Sequence, residues 1–129
     1  MVNTNQLESV VRAYFAACNA ADAAAIAACL TPDAVQYGYA PSEPMQGAAV
    51  VSSRFKAIVD AEGRRWTVDR IVTDPANSEA VIQYSRFRTG DATVVRGAEW
   101  FFFDPASGLA LSARTPDVEV TRAAALTVE

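Results

Sequence analysis

The feature that most constrains the fold is a change of hydrophobic period at Gly63. Before it, apolar residues recur at helical spacing; after it, short β-rich segments follow one another. From Leu7 to about Ala20, the residues Leu7, Val10, Val11, Tyr14, Phe15 and Cys18 fall three or four apart and predict a helix with one buried face. Asp22 stands as an N-cap before the alanine-rich run Ala23–Leu30, which Thr31–Pro32 ends because proline disfavours helix in the residue before it. A strand is expected over Ala34–Tyr39 and a loop over Ala40–Gln46, where Pro41 and Pro44 oppose regular pairing. A third helix spans about Gly47–Glu62.

Beyond Gly63 the expected strands are Trp66–Thr73, Ala80–Arg88, Thr93–Phe103 and Leu109–Val118. Turn-forming residues in Asp74–Ser78, Thr89–Ala92 and Asp104–Gly108 separate them. Three N-terminal helices followed by a meander of strands predict an α+β fold: a curved, mostly antiparallel sheet with helices packed on one face. The 129 residues fit a single domain, 1–129, with a core that buries roughly two-thirds of the unfolded chain's surface.

A net charge of −4 with scattered basic residues offers no footprint for a phosphate backbone, so no nucleic-acid partner is expected. Met1–Leu7 has no signal-like pattern and no apolar run approaches the ~20 residues of a membrane span, so a cytoplasmic protein with no membrane partner is expected. The chain contains no histidine, which removes His-based triads and most zinc sites; no metal and no cofactor are expected. Cys18 and Cys29 lie in apolar helical patterns and read as free, buried thiols.

Candidate chemistry centres on the strand Thr93–Phe103. Alternation puts Val95, Gly97, Glu99, Phe101 and Phe103 on one face, so Glu99 stands among apolar neighbours. Lost hydration there raises a carboxyl pKa and favours the neutral acid, which can donate a hydrogen bond. The alternative is a structural ion pair between Glu99 and Arg86, Arg88 or Arg114. Tyr14, on the buried stripe of the first helix, directs a phenol inward that needs a partner.

The segment Val10–Asp22, with Asp33-Ala34, Ser42-Glu43-Pro44 and Gly47, resembles bacterial ketosteroid isomerase, as does Val94–Phe103. The likeness covers nearly the whole chain. It implies an NTF2-like, SnoaL-like fold, a cone-shaped half-barrel enclosing an apolar pocket. It places that family's oxyanion-hole tyrosine on Tyr14 and its protonated aspartate on Glu99, the pair that would hold a dienolate oxygen. The family's aspartate general base falls on Gly38, which has no side chain to carry a proton.

Replacement bases are Asp117 after the last strand, Glu43 in the loop, and Tyr37 and Tyr39 flanking Gly38; Asp117 is the preferred one. Limonene epoxide hydrolase, of the same fold, uses an Asp–Arg–Asp set, which Ser85-Arg86-Phe87 does not reproduce. The resemblance and the alternation imply a substrate pocket lined by Phe55, Ile82, Tyr84, Phe101 and Ala113 besides Tyr14 and Glu99, with Gly38 at the vacant base position. Arg86 shares the parity of Tyr84, and an inward Arg86 would favour a carboxylate or enolate oxygen over a plain steroid.

The leading expectation is an isomerase or polyketide-cyclase-like enzyme acting on an apolar, steroid-like or polyketide-like carbonyl compound. The alternatives are a non-catalytic small-molecule binding domain and a dimerisation module. A homodimer is implied because related folds pair through the open face of the sheet.

Overall fold

The computed structural model describes residues 2–38, 43–90 and 92–114. Helix α1 spans Thr4–Asn19 and begins three residues before the expected Leu7. Asn3 explains the earlier start: its side chain accepts from the Gln6 N–H at 3.0 Å, and Gln6 accepts in return from the Asn3 N–H at 2.8 Å. Helix α2 is Ala23–Ala28, capped by Asp22 as expected. Strand β1 then runs Leu30–Tyr37, starting four residues before the expected Ala34.

The early start of β1 has a pairing reason. Ala110 N–H donates to Cys29 C=O at 3.0 Å and Leu30 pairs with Ala110, so the chain enters the sheet directly from α2. Pro32 is tolerated because it falls within the register shift between Leu30 and Val35, where no ladder bond needs its missing N–H. A two-residue strand β2, Met45–Gln46, lies within the segment expected to be loop. Helix α3, Ala48–Glu62, ends at Gly63 in the left-handed conformation that suits glycine.

Strands β3 (Arg64–Asp74), β4 (Glu79–Arg88), β5 (Thr93–Phe103) and β6 (Ala110–Arg114) complete the order, with one turn of 3-10 helix at Pro75–Asn77. Residues 115–118 of the expected last strand lie outside the described residues. Among the described residues the sheet has six strands in the order β2-β1-β6-β5-β4-β3, and it does not close on itself. The β1–β6 pairing is parallel and the others are antiparallel, so the expected α+β half-barrel with a mostly antiparallel sheet is the observed one. Among the described residues no helix is long and apolar enough to cross a membrane.

The helices cover the sheet face that carries Trp66, Ile82, Tyr84, Glu99, Phe101 and Ala113. The seam is aromatic: Phe101 meets Tyr14 at 5.7 Å and Phe15 at 6.1 Å between ring centroids, both edge-on. Asn19 fixes the end of α1 on β3 from both sides, donating to Trp66 C=O and accepting from Trp66 N–H, each at 2.8 Å. Gly97 is required where Tyr84 crosses it, since a Cβ there would lie 2.6 Å from the tyrosine Cζ and hydroxyl oxygen.

Candidate functional site

Three polar side chains stand inside this apolar seam. Tyr14 comes from α1, Gln36 from β1 and Glu99 from β5, and they are only 2%, 5% and 7% exposed. The Tyr14 hydroxyl donates to Gln36 Oε1 at 3.5 Å. The Gln36 amide nitrogen donates to Glu99 Oε1 at 3.3 Å and to the Tyr37 carbonyl at 3.5 Å. Gln36 is adjacent in register to Ala113, which in turn pairs with Phe101, so the small alanine lets the amide reach across β6 toward β5.

These contacts are longer than the ~2.7–3.0 Å that such hydrogen bonds prefer. The amide therefore holds the phenol and the carboxyl in a loose relay. Tyr14 and Glu99 are brought together, but through Gln36 and not across an empty point. Gln36 lies inside the strand expected over Ala34–Tyr39 but is not among the expected site residues. Its signal is parity: Gln36 shares the inward face of buried Ala34, where a polar side chain has to be satisfied.

The electrostatics follow from burial. Loss of hydration pushes the Glu99 carboxyl up to about 7, opposed by the hydrogen bond from Gln36. Burial likewise raises the Tyr14 phenol well above its usual value, with Cys18 and then Glu99 adding to the effect. The same two causes, burial and then Glu99, hold the Cys18 thiol neutral, and Cys18 and Cys29 are both free and buried. Near neutral pH Glu99 is thus poised between acceptor and donor, while Tyr14 remains a donor.

A pH dependence of stability follows. The folded pKa of Glu99, about 7, exceeds its reference value of 4.5, so the folded state binds the proton more tightly. Its contribution is fully present below about pH 4.5 and is lost as pH rises through about 7, a change on the order of 3 kcal/mol. Urea denaturation at pH 5 and pH 8 should show this loss in the wild type, and Glu99→Gln should flatten it. Equal pH slopes in the two proteins would mean that Glu99 is ionised throughout.

The other expected site residues divide by location. Phe55 on α3 is half-buried and meets the Tyr14 ring at 6.2 Å and Trp66 at 6.1 Å. Ile82, Phe101 and Ala113 are packed core, 0%, 1% and 3% exposed, with Ile82 the cross-strand partner of Glu99. Tyr84 is buried against Phe15, with ring centroids 6.5 Å apart. Arg86 is half-buried on the same side of β4, and Gly38 is exposed just past the end of β1. Asp117 and Tyr39 lie outside the described residues.

None of Arg86, Arg88 and Arg114 pairs with Glu99 among the described residues, so the ion-pair alternative gives way to the Gln36 contact. Arg114 instead lies over the Tyr37 ring at 4.5 Å. Glu43 is exposed. Two open depressions of about 420 Å³ each lie elsewhere, one on the outer sheet face around Arg70, Val81 and Arg96 and one beside the start of α1.

The chain has clear relatives among solved structures. It is 37% identical to a protein of unknown function with cystatin-like fold from Methylobium petroleophilum PM1, over 91% of this chain and 78% of that one, with a TM-score of 0.86. A candidate polyketide cyclase from Sinorhizobium meliloti has 18% identity and a TM-score of 0.72, over 84% of this chain and 94% of its own. SalBIII, an epoxide hydrolase/cyclase-like enzyme of pyran ring formation in polyether salinomycin, has 18% identity and a TM-score of 0.74, over 89% and 92%. The latter two share the fold. None of the curated proteins matches the chain. The model of the SnoaL-like domain matches residues 11–110, most of the chain's length, and the protein is a member of the SnoaL-like domain family.

Proposed function

We propose that this SnoaL-like domain binds an apolar carbonyl compound, steroid-like or polyketide-like, with the carbonyl oxygen held by Tyr14 and Glu99, and that its chemistry is isomerisation or cyclisation through an enolate. The observation that carries the reading is the buried Tyr14–Gln36–Glu99 relay. Gln36 Oε1 accepts from Tyr14 as a ligand carbonyl would, and its long contacts make the amide displaceable. A ligand oxygen in its place would accept one hydrogen bond from the Tyr14 hydroxyl and a second from neutral Glu99.

The energetic logic is electrostatic. Negative charge that develops on a carbonyl oxygen during enolisation is stabilised by donors already fixed in a dry environment, because they need no reorganisation as the charge appears. Phe15, Phe55 and Phe101 around Tyr14 supply that environment. Proton removal needs a separate base, for which Asp117 is the proposed residue. A second reading, a non-catalytic binding domain, is favoured by the lack of any side chain at Gly38. The expected homodimer would form on the outer sheet face, where Val72, Trp100 and Leu111 are exposed.

Titration with 2-naphthol, a neutral phenol at pH 7, tests the oxygen site. Tyr14→Phe and Glu99→Leu should each weaken binding by about tenfold, the effect of one buried hydrogen bond. Wild-type affinity in both variants would refute this site. Turnover of a bound carbonyl compound separates the enzyme from the binding domain.

A further inference from the structure

The inner sheet face is not uniformly buried. Ile82 and Phe101 are 0% and 1% exposed, but further along β4 and β5 Arg86 and its cross-strand partner Val95 are both half-buried. Among the described residues burial on this face is therefore less complete at the Arg86 end. Arg86 stands opposite Trp66 on β3, and one step further Arg64 stands directly opposite Arg88. Three arginines thus occupy one end of one face, a like-charge arrangement that destabilises a sheet unless something compensates it.

Compensation within the described chain is incomplete. Glu62, at the end of α3, pairs with Arg64, yet the Arg64 Nε is buried without a hydrogen-bond partner. Arg86 makes no ion pair or hydrogen bond among the described residues. Its neighbours on the same side are aromatic, with Trp66 across the ladder and Tyr84 two residues back along β4. A half-buried arginine beside aromatic neighbours suits one chemical class, an apolar molecule ending in a carboxylate, which the planar fork can grip with two parallel hydrogen bonds.

We propose that Arg86, supported by Arg64, is an anion subsite that takes the carboxylate of an amphipathic ligand whose apolar body lies along Trp66 and Tyr84. Arg86 stands four residues along β4 from Ile82, the partner of Glu99, roughly 13 Å at ~3.3 Å per residue. A long arginine side chain can shorten that span, and a fused-ring molecule joining the two places passes over the Tyr84 ring, which crosses Gly97 between them. The proposal names the substrate class of the carbonyl site as a carboxylate-bearing carbonyl compound, and it rests on that site only for the ligand's other end.

Three probes test it with the full chain: 2-naphthol, 2-naphthoate, and 6-hydroxy-2-naphthoate, which carries both groups at opposite ends. At low salt the wild type should bind 6-hydroxy-2-naphthoate about tenfold or more tightly than 2-naphthol, and added salt should shrink the preference. Arg86→Gln, verified as folded by circular dichroism, should erase the preference while leaving 2-naphthol binding unchanged. Equal affinity for the two hydroxylated probes in the wild type, a preference that survives Arg86→Gln, or no binding of any probe overturns the subsite. Binding of 2-naphthoate that Arg86→Gln abolishes, with none of 2-naphthol, keeps the subsite and removes the carbonyl site instead.

Discussion

Gly38→Asp is expected to raise isomerisation of a β,γ-unsaturated ketosteroid by about 10²–10⁴-fold over the wild-type background, the usual contribution of a positioned general base, or roughly 3–5 kcal/mol of barrier. The position accepts the change on structural grounds. Gly38 is not among the glycines with positive φ, and a Cβ built on it meets nothing within 4 Å. Gly38 follows the last residue of β1, and if the strand's alternation carries on by one residue the new carboxylate shares the Gln36 side, roughly 7 Å further along. Adding Tyr14→Phe should remove most of the gain, because the base would then generate an enolate with one donor missing. If Gly38→Asp folds and binds 2-naphthol yet adds no turnover, the non-catalytic binding domain becomes the better reading.

Phe101→Ala should destabilise the fold by about 3–5 kcal/mol, near the top of the range for truncating a buried aromatic. Phe101 is 1% exposed and its ring contacts Tyr14, Phe15 and Phe103. Its cross-strand neighbours are Ala80 on β4 and Ala113 on β6, residues too small to fill the space it would vacate. The cavity would therefore persist and not collapse, which is the condition for a large penalty. Tyr14 would also lose the ring that orients its phenol, so 2-naphthol binding should weaken along with stability. A loss under about 1 kcal/mol by urea denaturation would show that the aromatic seam does not organise the core.

Much of this architecture was legible in the residues alone. The period change at Gly63, the cap at Asp22 and the alternation over Thr93–Phe103 depend on local backbone preference and on which side of an element is apolar, and both are written in consecutive residues. For the same reason the inward placement of Glu99 and its raised pKa followed from alternation beside Phe101. The start of α1 at Thr4 was legible too, in the Asn3–Gln6 capping box, but hydrophobic spacing alone begins at Leu7.

What the sequence could not decide were matters of pairing between distant segments. Strand β1 begins at Leu30 because Ala110, eighty positions later, offers it a ladder, and that partnership overrides the local signal of Pro32. The partner of Glu99 was open among three arginines until the sheet order set β6 between β1 and β5 and made Ala113 small enough for Gln36 to reach across. The arginines themselves were visible as residues, but the opposition of Arg64 and Arg88 is a matter of register between β3 and β4. Local chemistry fixes what each residue can offer, whereas a buried polar group takes whichever partner the packed chain delivers, because leaving it unpaired costs more than any local preference can return.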